Sequence, residues 1–420
     1  MSESRKVKTR RVFYLPGYDP IHPRRYRELY RKEGRAQAAL RGYEIGIKPR
    51  PGKHSGWDVG ARIEGETTLS SVEVMVWSDI VRSSMSGGIA ATYGQLVRTA
   101  WVYITSGALR RLMWLRKGPV IAALYPVGML LAQLLIALLL GRLLAVAVAG
   151  LLDAALGLAG LALGPVNAPL QILVGALVMV GVLRFFRRID NRLYAYYLMH
   201  DYAYSAQSKG ANPPQLEARM SEFGQTIAAA LATDVDEVLV VGHSSGAHLG
   251  VSILADLIRN GQVPANGPEL SFLSLGQVIP MVSFLPKADR LRADLHLLAQ
   301  TDRLAWVDVT APGDGCAFAL CDPVAVSGVA PERGGRWPLI LSAAFTKTLK
   351  PETFEALRWR FFRLHFQYLC AFDNLPDDPG AYDYFAVTAG PRTLAARFGR
   401  RAPSKSRIDV AASRHTSMAA

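Results

Sequence analysis

Between Pro119 and Phe186 the chain runs for more than sixty residues with only Arg142, Asp153 and Arg184 charged. One helix crosses the hydrocarbon of a bilayer in about 20 residues. A buried helix of a soluble domain is much shorter than this run, so the run is expected to enter a membrane. It divides at Gly141-Arg142 and at Gly164-Pro165 into three apolar blocks, and its flanks are basic, with Arg110, Arg111, Arg116 and Lys117 before it and Arg184, Arg187 and Arg188 closing it. The positive-inside rule then places both ends in the cytoplasm, which requires an even number of crossings. Spans are expected near 119–141 and 167–186. The Gly/Ala-rich stretch 143–164 is expected to be a non-spanning connection at the far interface, where Arg142 and Asp153 stay near water. A third full span is the alternative. The tyrosines of "LYAYYLMHDYAY" after Arg188 suit an interfacial belt.

Outside this run the sequence has the texture of a globular α/β protein. Before it, "RRVFYLPGYDP", "YEIGIKP" and "SSVEVMVWSD" (70–79) read as strands, with helical stretches at 23–40 and 80–116. After it, a helical run at 213–232 leads into "DEVLVVGHSSG", and "ELSFLSLGQ" (269–277) and "LAWVDVTAP" (304–312) repeat the strand pattern with helical sequence between them. Strand, helix, strand at this spacing predicts a mainly parallel sheet covered on both faces. Because the strands lie on both sides of the apolar run, the sheet can assemble only if both halves share a compartment, which again calls for an even number of crossings. The expected parts are residues 1–116 and 189–397 as two halves of one domain, 117–188 as a transmembrane insertion, and 398–420 as a disordered basic tail.

The net charge is +14, and residues 1–53 contribute +10 of it through 15 Lys/Arg against 5 Asp/Glu. Beside a membrane segment, the anionic leaflet is the simpler partner for such an arm than nucleic acid, and no nucleic-acid partner is expected. Cys316, Cys321 and Cys370 form no CxxC or His-rich cluster, so reduced structural thiols are expected, and no metal. The opening residues carry no apolar stretch of the length a cleaved secretory signal needs.

One short segment carries chemistry. Gly242-His243-Ser244-Ser245-Gly246 fits G-x-S-x-G, with the apolar "VLVV" ahead of it and the helical "AHLGVSILADLI" behind it. A sharp strand-to-helix turn needs small residues on both sides of a strained serine. It lifts Ser244 Oγ into a cleft and leaves the Ser245 N–H facing a developing oxyanion. In these residues the chain resembles the α/β-hydrolase superfamily over roughly 10–80 and 210–390, but not over the apolar run.

The resemblance implies a serine esterase or lipase whose acid and then histidine follow the serine along the chain. His248 lies one helical turn past the elbow, His296 precedes the acid strand and His415 is in the tail, which leaves His365 as the expected base. Its surroundings, 352–371, read as helical, whereas the family places this residue in a loop after the last strand. For the acid, Asp314 after Pro312-Gly313 is preferred, with Asp308 and Asp322 as alternatives. The second oxyanion donor is expected from "FYLPGYDP", at Gly17 or Tyr18. No cofactor motif is present.

The expectation is therefore a membrane-anchored enzyme of the inner or plasma membrane, facing the cytoplasm. It would cleave an ester of a lipidic or membrane-partitioned substrate through an acyl-enzyme on Ser244. The alternatives are an acyltransferase using the same three residues and a non-catalytic membrane scaffold on the same fold.

Overall fold

The strands on either side of the apolar run come together in one sheet. A computed structural model of the chain, describing residues 6–50, 55–378 and 380–419, contains β1 (Thr9–Leu15), β2 (Glu44–Pro49), β3 (Gly56–Ile63), β4 (Glu66–Val74), β5 (Glu237–His243), β6 (Glu269–Leu275), β7 (Ala305–Thr310) and β8 (Leu339–Ser342). They line up in the order β2-β3-β4-β1-β5-β6-β7-β8. From β4 to β8 every pairing is parallel, and β2 and β3 add an antiparallel edge. The fold is α/β with a mostly parallel sheet. The seam between the two halves is β1 against β5, in register from Arg10 opposite Glu237 to Leu15 opposite Gly242.

All seven residues of β5 are buried, as expected of an apolar strand covered on both faces. At the N-terminal ends of the strands, Arg10 Nε meets Glu237 Oε2 at 2.5 Å with both side chains fully buried. The other guanidinium nitrogens donate to the carbonyls of Gly390 and Arg392, while Glu237 Oε1 accepts from Ser271 Oγ and the Leu394 N–H. A buried ion pair offsets its desolvation only when its remaining donors and lone pairs are used in this way. The network ties β1, β5, β6 and the 390–394 segment together at that end.

Several elements differ from the sequence reading. β3 and β8 were not anticipated. β3 is broken by Gly56 and Gly60, and β8 has four residues beside a Gly/Arg/Pro-rich stretch, so neither offers a long alternating pattern. The strand expected at 70–79 ends at Val74, and a helix starts at Ser78. The helical stretch 80–116 is cut after Ser84 and again at Gly107, whose φ is +75°. The helical 352–371 resolves into Pro351–Leu357, Phe361–His365 and a 3-10 turn Gln367–Leu369.

The tail expected to be disordered is seated on the protein as far as Ser417, and Ala420 lies outside the described residues. Its backbone finds partners that composition does not reveal. Ile408 pairs with Cys321, the Ser404 N–H donates to Ile340 O at 2.8 Å along the outer edge of β8, and Arg292 Nε donates to Ser417 O at 2.7 Å.

The chain divides into two compact units. The sheet belongs to the first, with Val102–Val120 and everything from Ser208 onward. The second comprises Ser84–Trp101 and Ile121–Gln207. Two helices are long and apolar enough to cross a membrane, Lys117–Gly157 and Gly164–Arg188, the latter opening with a 3-10 turn. The first was expected to stop at Gly141-Arg142, yet it continues unbroken to Gly157. At 1.5 Å per residue it extends about 60 Å, twice the hydrocarbon thickness.

The reason lies in the partner helix. A Cβ on Gly141 would come within 2.8 Å of Gly175 O, so the missing side chain lets the helices close together. Arg142 finds Gln171 Oε1 at 2.6 Å. One glycine costs about 1 kcal/mol in a helix, too little to break a run of Leu and Ala. Asp153 Oδ1 accepts the Leu163 N–H at 2.8 Å, closing the turn at the far end.

Candidate active site

The elbow is built at the C-terminal end of β5. Ser244 lies between that strand and the helix Gly246–Arg259, with φ of +56°. A non-glycine residue in the left-handed region costs of order 1–3 kcal/mol and persists only where its surroundings hold it. They do so here: the Ser244 N–H donates to Leu275 O at 2.9 Å, extending the β5–β6 ladder. The flanking glycines are sterically required. A Cβ on Gly242 would lie 2.8 Å from Ala247 Cα, and one on Gly246 would collide with Leu15 O. Ser244 itself is half-buried.

The loop after β1 runs beside the serine, such that a Cβ on Gly17 would sit 3.0 Å from Ser244 Cβ and 3.4 Å from Ser244 Oγ. Trp77 Nε1 donates to Pro16 O at 3.0 Å and holds that loop in place. Tyr18 follows, buried and in edge contact with Trp77. The Ser245 N–H, at the free N-terminus of the helix, has no acceptor among the described residues. The sequence-expected backbone donors thus border Ser244 on two sides.

Asp314 and His365 meet at the same end of the sheet. Asp314 lies four residues beyond β7, and His365 is the last residue of a five-residue helix that follows β8. His365 Nδ1 donates to Asp314 Oδ2 at 2.7 Å. The same oxygen accepts from Tyr368 Oη at 3.0 Å, and Asp314 Oδ1 accepts from the Cys316 N–H at 2.9 Å. Burial alone would raise the Asp314 pKa, but the adjacent His365 and these hydrogen bonds outweigh it and hold the carboxyl below its ordinary value. An ionised Asp314 accepts only, so the proton of this hydrogen bond is carried by His365 Nδ1.

The His365 ring lies over Gly276, the residue after β6, where an added Cβ would be 3.0 Å from His365 Cε1. Gly276 directly follows Leu275, whose carbonyl holds Ser244. Among the described residues, Ser244 Oγ and His365 Nε2 share no hydrogen bond, so the Asp–His half of the constellation is closed and the Ser–His half is open.

The alternative residues are engaged elsewhere. Asp308 is fully buried within β7, accepting from Ser274 Oγ at 2.5 Å, and burial pushes its pKa up to about 8. Asp322 caps the short helix Pro323–Val326. His296 contacts Val329 O and Gln300, and His415 contacts Ser106 O. His248 is buried on the helix Gly246–Arg259, and burial lowers its pKa to about 4.

Two supporting residues escaped the sequence reading. Tyr368 donates to Asp314 and accepts the Ala311 N–H at 2.9 Å, so its hydroxyl clamps the acid to the end of β7. The only sequence signal for it is its place three residues after His365. His243 occupies the variable position of the pentapeptide. Its Nε2 lies 3.0 Å from His365 O, and its Nδ1 lies 3.3 Å from Tyr14 Oη. Burial is the main cause that lowers its pKa to about 3. The ring is therefore neutral, donates from Nε2 to the carbonyl and accepts from Tyr14, which positions the backbone of His365.

Asp314, Cys316 and His365 also bring potential metal-ligand atoms within 4.8 Å of one another. Both Asp314 oxygens are already occupied as acceptors, one of them by His365. The set is better described as a hydrogen-bonded acid and base than as an open coordination site.

No protein-family model matches the chain, and neither a curated protein nor a solved structure matches it.

Proposed function

We propose that the protein is a membrane-anchored serine hydrolase of the α/β-hydrolase type, with its sheet unit facing the cytoplasm. The observation that carries this reading is a serine held at φ of +56° in a strand-to-helix turn, at the same end of the sheet as a buried Asp–His pair. Strain at a strand-to-helix turn beside an acid–base pair is the backbone geometry a nucleophile elbow requires, and it supports this reading.

In the proposed reaction Ser244 Oγ attacks the carbonyl carbon of an ester while His365 Nε2 takes its proton. Asp314 keeps the proton of Nδ1 in place and stabilises the imidazolium. The N–H of Ser245, with that of Gly17 or Tyr18, would hold the oxyanion. Collapse of the intermediate expels the alcohol, which receives the proton from His365, and leaves an acyl group on Ser244. Water, deprotonated by His365, then releases the acid. If another hydroxyl takes the place of water, the same steps give acyl transfer.

The membrane part of the proposal rests on the two apolar helices and on the single sheet formed from both flanks. Strands from either side can pair only within one compartment, and two crossings return the chain to its starting side. A site tethered to the bilayer favours ester substrates that partition into it.

The test is labelling of the purified full-length protein by a fluorophosphonate probe, with Ser244→Ala as control. Ser244-dependent labelling is expected. Its absence in folded protein would overturn the enzyme reading in favour of a scaffold.

A further inference from the structure

We infer that the segment Arg358–Arg363 docks on the anionic surface of the bilayer and holds the Asp314 loop and His365 against it. This rests on reading Lys117–Gly157 as a membrane helix and is independent of the ester chemistry.

The segment immediately precedes His365. The helices Pro351–Leu357 and Phe361–His365 are interrupted at 358–360, and the interruption turns large apolar side chains outward. Trp359 is 71% exposed and Phe361 49%, with their rings in edge contact. Arg358, Arg360 and Arg363 are exposed beside them. Arg358 lies over the Trp359 ring at 5.2 Å and reaches Glu355 at 2.9 Å. Exposed tryptophan flanked by arginine is poorly suited to bulk water. It is well suited to a headgroup layer, where the ring sits at the interface and the guanidinium groups meet lipid phosphates.

Position identifies the partner. The Phe361 ring covers Gly315, where an added Cβ would be 3.5 Å away, and a Cβ on Gly118 would lie 3.5 Å from Gly315 O. Gly118 is the second residue of the 41-residue apolar helix. Just before that helix, Arg116 Nε donates to Ala319 O at 2.9 Å. Gly315, the residue next to Asp314, thus lies between the aromatic segment and the first turn of the apolar helix. Charge and location both select a bilayer with anionic lipid over a soluble partner.

The experiment uses the full chain reconstituted in vesicles of phosphatidylcholine and phosphatidylglycerol at about 7:3. A spin label is placed at Phe361→Cys in a Cys316→Ser, Cys370→Ser background. Its accessibility to oxygen and to a water-soluble nickel chelate reports depth. Leu40→Cys, exposed on the helix Arg24–Arg41, serves as the aqueous control, and Leu139→Cys, exposed on the apolar helix Lys117–Gly157, as the lipid control.

The label at 361 is expected to be lipid-like. It should shift to the aqueous reading when Arg358, Arg360 and Arg363 are all changed to Gln, and in vesicles of phosphatidylcholine alone. An aqueous reading at 361 with a lipid-like reading at 139 would overturn the docking surface alone. An aqueous reading at both would also overturn the membrane part of the proposed function. A lipid-like reading at 361 that survives loss of the three arginines would overturn recognition of anionic lipid.

Discussion

Replacing Asp308 by Asn separates the two buried acids of the β7 region and has a magnitude that follows from the structure. Asp308 is fully buried, shares one hydrogen bond with Ser274 Oγ at 2.5 Å, and its Oδ2 has no partner among the described residues. Burial raises its pKa from 3.8 to about 8. Between these values the folded protein keeps a proton that the unfolded chain has released. Stability is therefore highest below the unfolded pKa and falls as pH rises, by about 1.4 kcal/mol per pH unit, until the folded pKa is reached. Asn preserves the shape and the acceptor for Ser274 but does not titrate. From pH 5 to pH 8 the variant should gain about 4 kcal/mol on the parent. The assay is denaturant unfolding of the detergent-solubilised protein across that range. Unfolding curves for parent and variant that stay parallel with pH would refute the reasoning. Ser244 labelling should be unchanged, because Asp308 does not touch His365.

The other acid should behave in the opposite way. Asp314→Asn removes the acceptor that fixes the His365 proton on Nδ1 and should slow turnover by about 10⁴-fold, read as kcat on a chromogenic ester. Tyr368→Phe deletes one charge-assisted hydrogen bond to Asp314 and strands the Ala311 N–H, worth about 1.5–3 kcal/mol, so kcat should drop roughly 10- to 100-fold with KM little changed. Asp314 is held below its ordinary pKa. Its stabilising contribution is therefore present above the unfolded pKa and lost as pH falls through the folded one, and Tyr368→Phe should shrink that acid-side loss in an unfolding titration. Gly246→Ala drives a methyl into Leu15 O and should abolish folded protein, read as loss of monodisperse material on size exclusion.

The legible parts of the site were those written in short windows. Ser244 stood out because an apolar strand, five residues with glycine on both sides, and a helical repeat occur in uninterrupted sequence. Asp314 and His365 could be narrowed by their order along the chain, and the Pro312-Gly313 turn favoured Asp314 over Asp308, but no local signal showed which acid meets His365. The sheet did so by enclosing Asp308 within β7 and leaving Asp314 on the turn beyond it. Tyr368 and His243 act through contacts with Asp314, Ala311 and the backbone of His365, and no periodicity records such contacts. β8 was hidden for a similar reason. Its four residues are a strand because β7 pairs on one side and Ser404 bonds along the other.

The apolar run shows the same division. Its length and basic flanks marked it in sequence, since hydropathy is a sum over residues and needs no fold. Where its first helix ends depended on Gly175 and Gln171, about thirty residues away in sequence from Gly141 and Arg142. The sequence by itself determined an α/β chain interrupted by an apolar hairpin-sized segment and a serine on a strand-to-helix turn. Those properties arise from neighbours within a few turns or strand repeats. Only the tertiary structure decided that β1 pairs with β5 across that interruption, which acid faces His365, and that the basic tail is seated on the protein. Each of these depends on groups far apart in the chain, whose burial and hydrogen bonds exist only once the sheet has closed.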